Sequence, residues 1–401
     1  MSRALVLVLL SGAALADEHL DALVAESLAV RPELSRASAD VEAARARVPQ
    51  VTAWSDPMLE VGVQNDGFTK WGVGTDPMSW VSFMARQSVP FPGKNPLRAE
   101  LAQTEVRREE LRLERARRTA TAEMRRAYLA LQAARERQSL LAGLRALWST
   151  TRAAVQARYE AGQATQAELA RIRLEESRLA QRARLLGLEE QVALRQVNRL
   201  RAKPLDTPVQ TSPLRDFPVL PAHDVETSPE LALARVAHAR VEVDRSLRRR
   251  ALLPDLQIAA GVMVRGPLEP MWTVTLGVPI PVFSGVRLLD EQRELDGMRG
   301  GAAAEREELE QQLAAGRSQR EVRFATLAEA WGVSSGELIA QARTLCEAAL
   351  SDYRTGRGAL SLVLEANATL VAEQEAALDT LVEAWTVVIE QDELVVGGGA
   401  S

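Results

Sequence analysis

The chain has 401 residues, and its 49 basic and 54 acidic side chains leave a formal net charge of −5. That near balance does not call for nucleic acid as a partner. One cysteine (Cys346) and three scattered histidines (His19, His223, His238) exclude an internal disulfide framework, a cysteine-rich zinc site and an obvious histidine metal cluster.

The N-terminus reads as an export signal. Arg3 supplies a positive charge, Ala4 to Leu10 form an apolar run, and Ala14-Leu15-Ala16 is a small-x-small cleavage pattern. A signal peptide over residues 1–16 is expected, with a mature chain from Asp17. The run is too short to span a bilayer, which takes ~20 apolar residues, and no cysteine follows it to carry a lipid. No later stretch reads as a transmembrane helix, so a membrane role would have to use β-strands.

A helix is expected from Asp17 to about Val48, ended by Pro49 and Pro57. Leu59, Val61 and Val63 then alternate with Glu60, Gly62 and Gln64, predicting a strand over about 58–64. A glycine-containing loop leads to a second strand over about 80–89, stopped by Pro90 and Pro92. From Asn95 to Tyr159 there is no proline and one glycine, Gly143. Leu113, Ala116, Ala120, Met124, Ala127, Leu131 and Ala134 step by three and four, a heptad-like stripe. A helix of that length is a rod of roughly 97 Å, which implies an elongated assembly. Gly162 marks a reversal, and a helix returns from about Thr165 to Lys203. The prolines at 204, 208, 213, 218 and 221 mark a linker over 204–222.

The plan then repeats. Arg31-Pro32-Glu33-Leu34 is echoed by Ser228-Pro229-Glu230-Leu231, and Asp56-Pro57-Met58-Leu59 by Leu253-Pro254-Asp255-Leu256. Val89-Pro90-Phe91-Pro92-Gly93 is echoed by Val278-Pro279-Ile280-Pro281 with Gly285, and Arg158-Tyr159-Glu160-Ala161-Gly162 by Asp352-Tyr353-Arg354-Thr355-Gly356. The chain is therefore two tandem units, 17–203 and 223–391, followed by a flexible tail over 392–401. Each unit reads helix, strand, strand, long helix, helix. The second has strands over about 255–264 and 272–280, a turn at Arg265-Gly266-Pro267, and a reversal near Gly356. Gly332 and Gly336 interrupt its long helix, and a kink or packing change is expected there.

Four strands with one apolar face each match the ~9–11 residues that cross an outer membrane at a tilt. Glu60, Gln64, Gln257, Thr273 and Thr275 suit a water-filled lumen, and Trp71, Trp80 and Trp272 suit interfacial girdles. Open strand edges are forbidden in lipid, so a barrel would be shared among copies of the chain. An ordinary antiparallel sheet on a soluble helical protein fits the same alternation; the export signal favours the barrel.

The exported two-unit plan, with Val89-Pro90-Phe91-Pro92-Gly93-Lys94, Val278-Pro279-Ile280-Pro281 and the glycine reversals after Arg158-Tyr159-Glu160 and Tyr353-Arg354-Thr355, resembles the TolC family of outer-membrane efflux proteins. Pro-Phe-Pro-Gly-Lys looks most like its heavy-metal-efflux branch. The resemblance implies a mainly α fold with a membrane β part. It implies a homotrimer with a shared 12-stranded β-barrel in outer-membrane lipid and an α-barrel tunnel through the periplasm. It also implies a periplasmic adaptor and an inner-membrane pump, of the RND type, as partners. The chain would be the passive exit duct, with no cofactor and no enzymatic activity; no nucleophile–base pair, phosphate loop or metal-ligand spacing stands out.

By the same resemblance the reversals form the entrance. Arg158, Tyr159, Glu160, Gly162 and Glu168 lie at the first tip, and Tyr353, Arg354, Gly356 and Arg357 at the second, with Glu365 one face further on. Tyr353 and Arg354 would hydrogen-bond across neighbouring helices and hold the tips shut. The aspartate ring of some relatives is absent, its positions being Leu362 and Glu365. Arg248-Arg249-Arg250 precedes a strand and either sits at the periplasmic rim or binds nothing. Cys346 reads as a small buried hydrophobe. A periplasmic adaptor and a coiled-coil scaffold are the alternatives; the first should carry one hairpin between β-rich halves, and the second leaves the four strands unexplained.

Overall fold

The computed structural model describes residues 18–251, 253–280 and 284–393. The expected signal, Pro281, and residues 394–401 of the expected tail lie outside the described residues; Asp392 and Glu393 belong to the last helix.

Two helices stand where one was expected. Helix α1 covers Glu18–Val30 and α2 covers Pro32–Thr52. Proline at 32 disfavours helical backbone in the residue before it, yet suits the first position of a new helix, so the break falls at Arg31. Pro49 does not end α2. It sits in the last turn, where Thr52 Oγ1 donates to the carbonyls of Val48 and Pro49 at 3.2 and 3.1 Å.

Strands β1 (Met58–Gln64) and β2 (Trp80–Val89) form an antiparallel hairpin, and β3 (Leu256–Arg265) and β4 (Leu268–Gly277) form another. Antiparallel pairing of β2 with β3 merges them into one sheet of order β1-β2-β3-β4. Strand β4 begins at Leu268 and ends at Gly277, rather than covering 272–280. Gly266, at φ +65°, and Pro267 make a two-residue turn, as a hairpin with glycine at its first central position requires. Pro270 is tolerated because β4 is an edge strand and the register shifts between Met263 and Arg265.

Between the hairpins run α3 (Lys94–Glu160, 67 residues) and α4 (Gln166–Leu200). After residues 201–228 comes α5 (Pro229–Ala251). After β4 come α6 (Ser284–Val333), a π-helical turn at Ser334–Leu338, α7 (Ile339–Arg354) and α8 (Leu360–Glu393). The π-turn falls at the expected interruption around Gly332 and Gly336; its extra residue per turn shifts which face of the helix is buried. No described helix is long and apolar enough to cross a membrane.

The contacts divide the chain into two compact units that cut across the sequence repeats, because each contains segments of both. One comprises residues 36–113 and 229–310 and holds the sheet. Its helices are tied by Arg45–Glu110 (2.8 Å), Arg240–Glu105 (2.9 Å) and Arg299–Glu242 (2.7 Å). Exposed pairs of this kind contribute ~0–1 kcal/mol each, so they align helices more than they stabilise them.

The other unit comprises, among the described residues, 18–35, 114–228 and 311–393. There α3, α4, α7 and α8 bury Leu144, Trp148, Val155, Ile172, Tyr353 and Val363 in one cluster. Met124, Tyr128, Leu131 and Val197 form a second with Leu23 of α1. The proline-rich segment is fastened along the helices. Arg135 donates to Val209 O at 2.8 Å, Gln132 to Ser212 O at 2.9 Å, and the Ser212 N–H to Tyr128 Oη at 3.1 Å. Proline cannot supply ladder donors, so side chains of α3 satisfy this extended backbone.

Candidate functional site: the two-faced sheet and the hairpin tips

Alternation places every second side chain of a strand on the same face, and the register aligns these faces across the sheet. Val61, Phe83, Val262 and Trp272 form one cross-strand row, and Leu59, Ala85, Ala260 and Val274 the next. These large apolar groups are exposed: Leu59 by 72%, Val61 by 61% and Trp272 by 79%. Opposite them, Glu60, Met84, Gly261 and Thr273 form a row beside Gly62, Ser82, Met263 and Met271. Arg86 and Glu60 pair there at 3.2 Å. The sheet thus has one exposed face that is apolar except for Gln87 near its foot, and one mixed face that carries its charged and most of its polar side chains beside Met84, Met263 and Met271.

Glu60, Gln64, Gln257, Thr273 and Thr275 all lie on the polar side of this alternation. Trp272 lies on the apolar face and Trp71 in the β1–β2 loop. Trp80 does not suit the girdle expected of it. It pairs with Gln64 and shares the polar face with Ser82 and Met84. The outer edges of β1 and β4 carry no partner strand among the described residues.

The hairpin tips belong to the other unit. At the first, Gly162 has φ +73°; its N–H donates to Tyr159 O (2.9 Å) and that of Gln163 to Arg158 O (2.8 Å). Only glycine adopts this left-handed conformation without strain, which is how α3 is closed. Thr165 caps α4 in a capping box with Glu168: the Thr165 N–H donates to Glu168 Oε2 at 2.8 Å, and the Glu168 N–H to Thr165 Oγ1 at 3.3 Å. At the second tip Gly356 has φ +79°, and the N–H groups of Arg357 and Gly358 both donate to Asp352 O, at 2.9 and 3.0 Å.

Arg158 joins the two tips. Its guanidinium carbon lies 4.6 Å from the centroid of the Tyr353 ring, Nη1 donates to Tyr353 O, and Nη2 to Gln163 O at 3.3 Å. Tyr353 is 1% exposed, and its hydroxyl has no hydrogen-bond partner among the described residues. Burial, and secondly the charge of Glu168, push the phenol above its usual pKa, against the opposing charge of Arg158. The structure thus brings together Arg158, Tyr353, Gly162 and Gly356.

It leaves the other candidates at the surface. Tyr159 is 40% exposed and Arg354 is exposed. Glu160 accepts from Gln156 Nε2 at 2.8 Å. Arg357 lies 3.4 Å from Asp352 and donates to Thr355 Oγ1. Glu365 stands exposed on α8 beside Leu362. Cys346 is buried and donates to Ala366 O, and burial raises its thiol pKa. No group of three or more His, Cys, Asp or Glu side chains among the described residues has metal-site geometry.

Sequence reasoning missed the Lys94–Asp255 pair (2.7 Å) and the Phe91 N–H donated to the same carboxylate (2.9 Å), which lock the Pro-Phe-Pro-Gly-Lys segment to the foot of β3. Phe91 and Asp255 stand in echoed motifs and Lys94 directly follows one, but nothing local links residues 161 positions apart.

Residues 23–202 match the family model described as "Outer membrane efflux protein". Among solved structures, the outer-membrane channel OprN aligns with a TM-score of 0.75 at 18% identity, over 95% of this chain and 91% of that one. VceC, an outer membrane protein of Vibrio cholerae, aligns at 0.77 and 16%, over 94% and 96%. The open state of the MtrE outer membrane channel of Neisseria gonorrhoeae aligns at 0.74 and 15%, over 94% and 88%. No curated protein matches by sequence.

Proposed function

We propose that the chain belongs to the outer membrane efflux protein family, whose model residues 23–202 match, and that it is the outer-membrane exit duct of a tripartite efflux system, passing substrates from a periplasmic adaptor and inner-membrane pump to the exterior. The observation that carries this reading is the two-faced sheet. A monomeric soluble protein rarely exposes a large continuous apolar patch, whereas a strand crossing an outer membrane turns alternate residues to lipid and to a polar lumen. Two unpaired edges cannot remain open in hydrocarbon. Three chains would close their four-stranded sheets into twelve strands, and the chain would act as a homotrimer. The duct itself does no chemistry.

The tips are the entrance of this duct, and Arg158 with Tyr353 is its fastening. A guanidinium held by a ring, a carbonyl of the other tip and a carbonyl of its own turn resists separation of the two hairpins. Arg354, Arg357, Tyr159 and Glu365 face outward, where they would meet a neighbouring subunit or the adaptor. An adaptor or scaffold reading gives no use to the exposed apolar face.

The test is location with assembly state. The full chain is expressed with its signal, the two membranes are separated, and the detergent-extracted particle is sized by light scattering. Three chains in the outer membrane are expected; a periplasmic monomer would overturn the reading.

A further inference from the structure

Resting on the reading of the sheet as membrane-embedded, we propose that the feet of its strands bind anionic phospholipid headgroups, with Arg249 and Arg250 receiving the phosphate. From Leu256 to Val264, β3 spans about 27 Å along the strand at ~3.4 Å per residue, which at a tilt of ~40° covers roughly 21 Å of an apolar band ~25 Å tall and brings the strand feet to its boundary. Where the strands join the helices, the exposed residues change character. Trp54 is 61% exposed just before β1, and three arginines form the last turn of α5, just before β3. Tryptophan beside basic side chains is the composition of a membrane–water boundary.

Nearby charges are unequally compensated. Arg248 pairs with Asp244 and Glu294, at 3.1 and 3.2 Å, and Lys94 with Asp255. Arg249 and Arg250 are exposed and have no carboxylate partner among the described residues. Basic residues suit the C-terminus of a helix, which accounts for an arginine in the last turn but not for two left unpaired where neighbours are paired. Arg250 is also seated. A Cβ added at Gly93 would lie 1.6 Å from its Nη1, and Gly93 has φ +90°, so the glycine both permits the turn and leaves room for the guanidinium. At the other end of the sheet, the β1–β2 loop carries Asp66, Lys70 and Asp76, with no basic excess. The fixed positive charge thus lies at the helix-proximal end, which assigns it to the leaflet on that side, and its complement is a phospholipid headgroup of net negative charge, whose phosphate no ammonium neutralises.

The test uses the full chain, extracted as its outer-membrane particle in mild detergent. Phosphatidylglycerol, cardiolipin and phosphatidylethanolamine are added back at matched concentration, and bound lipid is counted by native mass spectrometry. Each arginine at an anionic surface contributes about fivefold in affinity, so Arg249→Gln/Arg250→Gln is expected to retain roughly 25-fold less phosphatidylglycerol and cardiolipin, with phosphatidylethanolamine unchanged. Arg178→Gln, an exposed arginine of the other unit paired with Glu175, is expected to change nothing. If the double variant does not assemble, Arg249→Gln alone gives the readout. Equal anionic-lipid retention by variant and wild type, an equal loss in the Arg178 control, or retention of lipopolysaccharide instead would overturn the proposal. Failure of the duct reading shows separately, as a wild-type chain absent from the outer membrane.

Discussion

Arg158→Ala should loosen the hairpin tips without unfolding the chain. The substitution removes a cation from the Tyr353 ring, worth ~0.5–2 kcal/mol, and a charged donor from a carbonyl beside a residue 1% exposed, worth ~1.5–3 kcal/mol. Arg158 Nε is buried without a partner among the described residues, so its removal returns part of that gain, and a net loss of about 2 kcal/mol is expected. The single cysteine provides the assay. Cys346 is 3% exposed and lies in a cluster with Ala366 and Leu370 of α8 and Leu147 of α3. A thiol reagent reaches it only when these helices part, so labelling reports the local opening equilibrium. A loss of ~2 kcal/mol should speed labelling roughly 30-fold. Arg158→Lys keeps the charge but loses the planar fork, and its rate should fall between. In planar bilayers Arg158→Ala should raise conductance. Unchanged labelling together with unchanged conductance would remove Arg158 from the fastening and leave Tyr353 as ordinary core.

Four other outcomes follow from the structure. Tyr353→Phe should alter stability by less than about 0.5 kcal/mol at neutral pH, since the hydroxyl has no partner among the described residues; a larger loss in the assembled protein, read by thermal denaturation, would mean that another subunit supplies one. The phenol pKa is raised in the folded state, so its contribution is fully present below the unfolded value of about 10 and is lost as pH rises through the folded value; Cys-independent unfolding curves above pH ~10 should show this fall in wild type and not in Tyr353→Phe. Val262→Arg, in the middle of the apolar face, should cost ~2–4 kcal/mol in membrane assembly, while Thr273→Arg on the polar face should leave the outer-membrane fraction intact; equal effects in fractionation would refute the assignment of faces. Opening mutations at Arg354 and at Tyr353 beyond Phe should raise bilayer conductance if these residues belong to the gate, and unchanged conductance in both would exclude them.

How much was legible depended on the range of each interaction. Alternation in Leu59-Glu60-Val61-Gly62-Val63 and in Leu256 to Val264 is a local signal, and β1 and β3 lie within a residue of their expected places. The start of β4 was hidden by Pro267 and Pro270, which argue against a strand unless the strand is an edge. The break at Arg31 was written in Pro32 but was outweighed by the helical composition on both sides. The glycine reversals were visible because left-handed backbone demands glycine, and Gly162 and Gly356 both adopt it. The link between Arg158 and Tyr353 was not visible, because it joins residues 195 positions apart and neither side chain announces the other.

The pairing of β2 with β3 has a consequence for how the chain acquires its structure. Each hairpin is local and can form as soon as its own strands are available. The seam between them joins Val81 to Val264, from opposite halves of the sequence, and non-local pairing of this kind closes slowly. During export the first hairpin must therefore wait, with one apolar face and an unpaired inner edge, while some 170 residues of helix and linker emerge. A chain at that stage is most exposed to aggregation, so the rate of its maturation should be set by capture of β2 by β3 rather than by helix formation, and periplasmic chaperones that bind extended apolar strands should matter most in that interval.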